Sequence, residues 1–176
     1  MLLIRKETPA DYPQVYDLVK AAFEHAEHAD GTEPDLVERL RKNPAAFLPE
    51  LSLVAELDGK LVGYILLTDT KLADYRTLTV GPLAVLPEHQ RQGVGGKLLE
   101  EGHRIARHMG YEFSTLVGHE TYYPRFGYRP ASAFAIACPL DVPDVNFMAL
   151  HLQGLHPQVN ATLVYPPEFM GGAAHD

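Results

Sequence analysis

"LPEHQRQGVGGKLLEEG" runs from Leu86 to Gly102. It turns at Pro87 and continues as an amphipathic helix, yet Gly93, Gly95 and Gly96 crowd the start of that helix. Each glycine costs roughly 1 kcal/mol against alanine in a helix interior, so the sequence must gain something in return. The first amides of a helix have no partner within it, and with the helix dipole they form an anion site suited to phosphate. Glycine removes the side chains that would hold a ligand away from those amides. The competing use is close packing of the helix on the sheet. Two nucleotide patterns fail here. The spacing G-x-G-G is not the dinucleotide G-x-G-x-x-G, and the P-loop pattern is broken by Arg91 in place of its first glycine and by Leu98 after Gly96-Lys97.

Upstream, "LTVGPLAVL" (Leu78–Leu86) reads as a strand interrupted by Gly81-Pro82. Proline cannot donate to a sheet ladder and glycine within a strand marks a bulge, so pairing to one neighbour should fail over part of its length. Before it, "LSLVAEL" and "KLVGYILLTD" are joined by Asp58-Gly59, a strong hairpin signal. "LLIRKE" (Leu2–Glu7) predicts a first strand. "TPADYPQVYDLVKAAF" predicts a helix with Thr8 as N-cap, Pro9 at its first position, and Val15, Leu18, Val19, Ala22 and Phe23 on one face. "DLVERLRKN" predicts a short second helix with Leu36 and Leu40 inward. Downstream, the glycine-led helix runs to Met109 with Gly110 as C-cap. "YEFSTLV" (Tyr111–Val117) is a strand, and "ETYYPRFGY" is a short helical turn ending at Gly127. "SAFAIACPL", "VNFMALHL" and "ATLVY" supply up to three more strands. Helices interspersed among strands in this order give an α/β or α+β class with a mixed sheet.

The chain has 176 residues, 46% of them hydrophobic, which fits one domain, 1–176, with a sizeable core. Its net charge of −8 argues against nucleic acid as a partner, because phosphate binding needs a basic surface. Cys138 is the only cysteine, which excludes an intrachain disulfide and a cysteine-rich zinc site. The first apolar residues meet charge at once at Arg5, unlike a signal peptide, and "LVGYILL" (Leu61–Leu67) is far too short to span a bilayer. A cytoplasmic protein with no membrane partner is expected. Among the nine histidines, His25/His28 and His103/His108 stand at i+3 and i+5, but no motif such as H-E-x-x-H appears, and no metal site is expected.

Gln90-Arg91-Gln92-Gly93-Val94-Gly95 resembles the Q/R-x-x-G-x-G/A signature of the GNAT superfamily of N-acetyltransferases. The signature follows a strand containing "GPLAV" and opens a helix whose face carries Val94, Leu98, Ile105 and Met109. Further on, Tyr123-x-x-x-Gly127-Tyr128 resembles the superfamily's Y-x-x-x-G-F/Y segment, and the order of elements agrees over a core of about 2–152, leaving a C-terminal extension, 153–176. The resemblance implies a mixed, mostly antiparallel sheet flanked by helices, with a bulged, splayed strand at the cofactor site. It implies acetyl-coenzyme A as cosubstrate, its pyrophosphate on the amides from Gln92 to Gly96 beside Gln90 and Arg91, and its pantetheine arm along Leu83, Ala84 and Val85. Arg91 and Lys97 would add positive charge. One departure stands out: many relatives carry a cofactor-contacting asparagine where this chain has Leu116.

The implied reaction is attack of an amine on the thioester carbonyl. A lysine-like amine with pKa near 10.4 is only about 0.1% or less neutral at pH 7, so a base is useful, and the departing sulfur benefits from a general acid. The superfamily tyrosine corresponds to Tyr123, with Tyr122 one residue off register as second choice. Backbone amides near Leu83–Val85 could polarise the carbonyl. His119, Glu120 and Asp69 are base candidates, beside an ordered water relay. The acceptor is a small-molecule or peptide amine that enters near the acidic segment Glu24–Asp35 and the region after Tyr128. A final strand beyond Leu152 offers pairing to a second copy of the chain, a homodimer. A non-catalytic acyl-coenzyme A sensor, or use of a longer acyl chain, are the alternative functions.

Overall fold

The computed structural model describes residues 1–26 and 30–174. Along the chain run β1 (Leu2–Lys6), α1 (Tyr12–Phe23), α2 (Glu33–Arg41), β2 (Ser52–Leu57), β3 (Lys60–Leu72) and β4 (Tyr75–Val85). Then come α3 (Val94–His108), β5 (Phe113–Val117), β6 (Arg129–Pro130), β7 (Ile136–Ala137), β8 (Phe147–His151), β9 (Ala161–Thr162) and α4 (Pro167–Ala174). Seven strands form one sheet in the order β1-β2-β3-β4-β5-β8-β6, and β7 and β9 form a separate pair. Within the large sheet only β4 and β5 are parallel, joined by the α3 crossover, so the sheet is mixed and mostly antiparallel.

Helices cover both faces. Leu98, Leu99 and Ala106 of α3 pack on Leu53, Ile65, Leu67, Leu78, Val80 and Leu116. On the opposite face, Val15, Leu18 and Val19 of α1 and Val37 and Leu40 of α2 pack on Val54, Tyr64, Leu66 and Ala84. A third cluster, Phe113, Phe134, Phe147 and Leu163 among others, fills the β5–β8 half of that face. A buried polar chain ties α2 to the sheet. Arg41 pairs with Glu7, and Ser52 Oγ lies 2.6 Å from both Glu7 Oε2 and the Tyr64 hydroxyl.

The Asp58-Gly59 hairpin forms with both residues at positive φ (51° and 87°), as a tight primed turn requires. Elsewhere the observed boundaries differ from the sequence expectation. The helix expected from Thr8 starts as a 3-10 turn at Pro9–Asp11 and becomes α-helical at Tyr12; Asp11 holds this entry by accepting from the Thr8 N–H (2.8 Å) and from Arg5 (2.8 Å). The strands either side of Ala73-Asp74 are longer than expected, because the polar run Asp69–Thr77 continues the hairpin rather than leaving it. "SAFAIACPL" (132–140) opens in a 3-10 turn, Ala131–Phe134, and is strand only at the two residues of β7. The final strand is two residues long and pairs with β7 within the chain. The last element is the helix α4, which the sequence pattern did not announce.

Candidate active site

The bulge at Gly81-Pro82 is real and has the expected consequence. The β3–β4 register shifts between Ile65↔Leu83 and Leu67↔Val80, so β4 carries an extra residue there. The β4–β5 ladder covers only Thr77↔Phe113, Leu78↔Ser114 and Thr79↔Thr115. Beyond Thr79 the two strands part, and β4 runs on through Leu83, Ala84 and Val85 with β3 alone. The Leu86 N–H donates to Val62 O at 2.9 Å, toward β3. By strand alternation, the N–H groups of Leu83 and Val85 therefore face the opened side. The Val85 carbonyl shares that side and accepts from Gln90 Nε2 at 3.0 Å. Gln90 thus clasps the end of the strand.

The start of α3 stands beside this gap. Gly93 is the N-cap at φ 85°, and Arg91 also has positive φ (63°), so the loop turns sharply into the helix. The first helical bond joins the Lys97 N–H to the Gly93 carbonyl (3.1 Å), which leaves the amides of Val94, Gly95 and Gly96 without helical partners. Arg91, Gln92 and Lys97 are exposed, while Val94 and Gly95 are buried.

The three glycines serve different ends. At Gly93 a Cβ would meet nothing within 4 Å, so the need is the left-handed backbone. At Gly95 a Cβ would lie 2.8 Å from the Tyr122 hydroxyl, and at Gly96 it would lie 3.0 Å from the Phe126 ring. Those two glycines receive the aromatic turn Tyr122–Phe126 across the helix start. Packing therefore accounts for two of the three positions, but against the aromatic turn first, where the sequence reading had the sheet as the packing surface. The same spot opens toward β4: the Gly95 Cβ would also be 3.7 Å from Val85 and 3.9 Å from Leu83 side-chain atoms.

Tyr123 packs on the β5 side. A Cβ on Gly118 would overlap its ring and approach Leu116 at 3.2 Å, so Tyr123 lies over the end of β5. Its ring meets Tyr122 edge to face at 5.0 Å and Tyr128 at 5.9 Å. Burial pushes the pKa of both Tyr122 and Tyr123 up, with the Arg125 charge opposing it at Tyr122, so both hydroxyls stay protonated at neutral pH. Among the described residues neither hydroxyl has a hydrogen-bond partner. Beneath them a buried triad braces the turn. The Tyr128 hydroxyl lies 2.8 Å from His103 Nε2 on α3 and 2.7 Å from Ser114 Oγ on β5. Leu116 is buried among the α3-side apolar residues.

The base candidates do not converge on the gap. Asp69 accepts from the Tyr111 hydroxyl (2.6 Å) and Lys71, opposite Leu78 in the paired part of the sheet. His119 accepts from Thr121, and Glu120 accepts from Asn146; both side chains are at the surface. Of the histidine pairs, His28 lies outside the described residues, and His103 is buried while His108 is exposed. Within the acidic segment Glu24–Asp35, Glu27 is likewise outside them; Asp30 accepts from the Thr32 N–H just before α2, and Asp35 accepts from the Tyr16 hydroxyl. A depression of ≈ 490 Å³ lies elsewhere, lined by Ser132, Cys138, Asp144 and Phe147. Burial raises the Cys138 thiol pKa, which argues against a nucleophile there. Sequence reasoning missed Phe126, Arg125 and Gly118. The i, i+4 spacing of Tyr122 and Phe126 was the available sign that one side of this turn faces a neighbour.

The comparisons with known proteins agree with this geometry. The model of the acetyltransferase (GNAT) domain family matches residues 3–131. The uncharacterized N-acetyltransferase YjhQ of Escherichia coli K12 is 37% identical over 131 residues, 72% of each chain. YhbS of the same strain, also named an uncharacterized N-acetyltransferase, is 32% identical over 140 residues, 78% of this chain and 79% of its own. The crystal structure of E. coli YhbS in complex with CoA superposes with a TM-score of 0.85 at 28% identity, covering 96% of this chain and 91% of that one. A GNAT family acetyltransferase from Brucella melitensis, in complex with acetyl-CoA, gives 0.77 at 30% identity, covering 96% and 98%. With its parted β4 and β5, its glycine-led α3 and this match across most of its length, the chain belongs to the GNAT family of N-acetyltransferases.

Proposed function

We propose that this enzyme, an acyltransferase by family, transfers an acetyl group from acetyl-coenzyme A to the primary amine of a small molecule or peptide, acting as one domain, 1–176. The observation that carries the reading is the parting of β4 from β5 after Thr79↔Thr115, directly beside the unpaired first amides of α3. The residues present fit the cosubstrate. Gln92, Gly93, Val94, Gly95 and Gly96 offer amides to a pyrophosphate, with Arg91 and Lys97 exposed nearby to supply charge. The gap-facing N–H groups of Leu83 and Val85 and the carbonyl of Val85 suit an amide-bearing arm lying along the strand.

Acetyl-coenzyme A supplies an acetyl thioester whose carbonyl carbon bonds to the amine nitrogen as the carbon–sulfur bond breaks. The β4 N–H groups facing the gap stabilise negative charge on the carbonyl oxygen. Tyr123 enters the reaction protonated, hydrogen-bonds to the departing sulfur and gives it a proton. The nitrogen loses a proton in exchange, so Tyr123 is restored and the products are an amide and a thiol. No carboxylate or imidazole among the described residues stands in the gap as base, which favours an amine that arrives neutral or gives its proton to solvent.

Along the described residues no helix is long and apolar enough to cross a membrane, and a cytoplasmic location is part of this reading. Homodimerisation through the final strand would require β9 to extend beyond its pairing with β7; sedimentation of the purified protein reads it directly. The activity is tested by release of free thiol from acetyl-coenzyme A over a panel of amines and peptides, with mass detection of the added acetyl group. Thiol release that depends on an amine supports the transferase. Tight coenzyme A binding without acetylation of anything on the panel would instead favour the sensor reading, and a preference for longer acyl donors would revise the donor.

A further inference from the structure

The cofactor reading leaves one face of the gap unassigned. On the α3 face of β4, the side chains of Leu83 and Val85 meet the helix start and the aromatic turn. A thioester carbonyl held between β4 and β5 is open to attack from two sides, and that side is filled. The amine therefore approaches from the opposite face, where Ala84 lies with α1 and α2. Across this approach runs the end of the chain. Val164 pairs with Lys71 in both directions (3.0 and 2.8 Å), which sets the segment against the end of β3. The chain then turns at Pro166-Pro167 into α4, which rests on α2: Arg39 Nη2 donates to the Glu168 carbonyl at 3.2 Å and Asn43 Nδ2 to its carboxylate at 3.0 Å. This places Phe169 on the bulge itself. A Cβ on Gly81 would touch its ring at 3.8 Å, and the ring also packs against Tyr165 at 5.1 Å.

We propose that α4 forms the acceptor wall and that Phe169 is the residue that selects the acceptor. The proposal rests on the amine-transfer reading above. The Phe169 ring faces Gly81, 3.8 Å from where a Cβ would stand, at the point where β4 has just left β5, and Val15, Leu18 and Val19 of α1 belong to the same apolar cluster. An amine must pass along the ring edge to reach the carbonyl. That passage admits an amine on a slender, unbranched chain and refuses one branched next to nitrogen. The ring pair Phe169 and Tyr165 gives the passage an apolar, cation-tolerant side. The same ring keeps water from the thioester. The segment lies outside residues 3–131 matched by the family model, so selectivity would sit on an element separate from the cofactor motifs.

The experiment uses the full chain with Phe169→Ala and Phe169→Leu, each checked for folding by thermal melting. Leucine keeps apolar contact with the α1–α2 core while removing the ring edge. Straight-chain primary amines are compared with α-branched amines of equal carbon number, and thiol release from acetyl-coenzyme A is also followed with no amine present. The expected result is a rise of about tenfold or more in the branched-to-straight ratio of kcat/KM, several-fold faster hydrolysis of acetyl-coenzyme A in the alanine variant, and an unchanged KM for acetyl-coenzyme A. An unchanged ratio with unchanged hydrolysis in a folded variant overturns the proposal. So does a KM for acetyl-coenzyme A that rises with the substitution, since the ring would then serve the donor side. If the native enzyme acetylates no amine, the acceptor reading fails by itself, and the hydrolysis arm still decides whether Phe169 is a wall.

Discussion

His103 offers a test of how the tyrosine turn is held. It lies on α3 at 4% exposure, and its Nε2 is 2.8 Å from the hydroxyl of Tyr128, which is itself 3% exposed. Burial, with the Arg107 charge adding to it, brings its pKa down from 6.5 to about 4. The folded protein therefore keeps this ring neutral while the unfolded chain takes up a proton below pH 6.5. Stability from this source is complete above the unfolded pKa and is lost as pH falls toward the folded one. Each pKa unit is 1.36 kcal/mol, so the loss reaches about 2 kcal/mol by pH 5 and about 3 kcal/mol near pH 4. The perturbation is His103→Gln, whose side-chain amide can still reach the Tyr128 hydroxyl but does not titrate. Urea unfolding of both proteins between pH 7.5 and 4.5 gives the two slopes. His151 is also lowered by burial, and the Asp11 carboxyl, held at about 2 by Arg5, acts in a more acidic range. Both occur in native and variant alike, so the difference isolates His103. The native protein should lose about 2 kcal/mol more than the variant on going to pH 5. Parallel slopes would refute the reasoning.

Three further outcomes are expected. Tyr123→Phe should lower kcat by about 10²–10⁴-fold with little change in acetyl-coenzyme A affinity, Gly118→Ala should reproduce much of that loss by displacing the ring, and a larger effect from Tyr122→Phe would move the general acid by one residue. Gly95→Glu should sharply reduce coenzyme A affinity measured by calorimetry while the protein stays folded, whereas Gly93→Ala should cost about 1–2 kcal/mol of stability through its left-handed backbone; unchanged affinity in folded Gly95→Glu would remove the pyrophosphate assignment. If the acidic segment Glu24–Asp35 steers a cationic acceptor, kcat/KM should fall as salt shortens the Debye length below about 8 Å, and a rate indifferent to salt would dispose of the idea.

Local signals carried much of the fold, including the elements on which the donor site is proposed. The Asp58-Gly59 turn, the bulge at Gly81-Pro82 and the glycine-led helix each depend on residues adjacent in sequence, and each formed as read. The boundaries that shifted are those set by pairing at a distance. Asp69–Thr77 is polar enough to pass for a loop and becomes strand only because β3 and β4 extend each other. "SAFAIACPL" has the apolar content of a strand, but at Ala131 and Phe134 that content serves the cluster under β8. The helix α4 is short and contains Gly171 and Gly172, which weakens any propensity signal; its anchors, Arg39 and Asn43, lie more than a hundred residues earlier.

The glycines at the start of α3 show why half of a site can be read and half cannot. A thinned helix start is visible in the sequence, but what it is thinned for is a tertiary fact. The same two missing side chains leave the amides of Gly95 and Gly96 bare and make room for Tyr122 and Phe126. These uses are compatible, because the aromatic turn that fills the space also brings Tyr123 to the far side of the parted strands. If the glycines served packing alone, Gly95→Ala combined with Tyr122→Phe, which removes the clashing hydroxyl, would restore both fold and coenzyme A affinity. If the helix start also holds the donor, that pair would restore the fold while coenzyme A affinity stays reduced, because the added methyl still narrows the space between the helix start and Leu83 and Val85. The double variant thus separates the two uses that the sequence cannot.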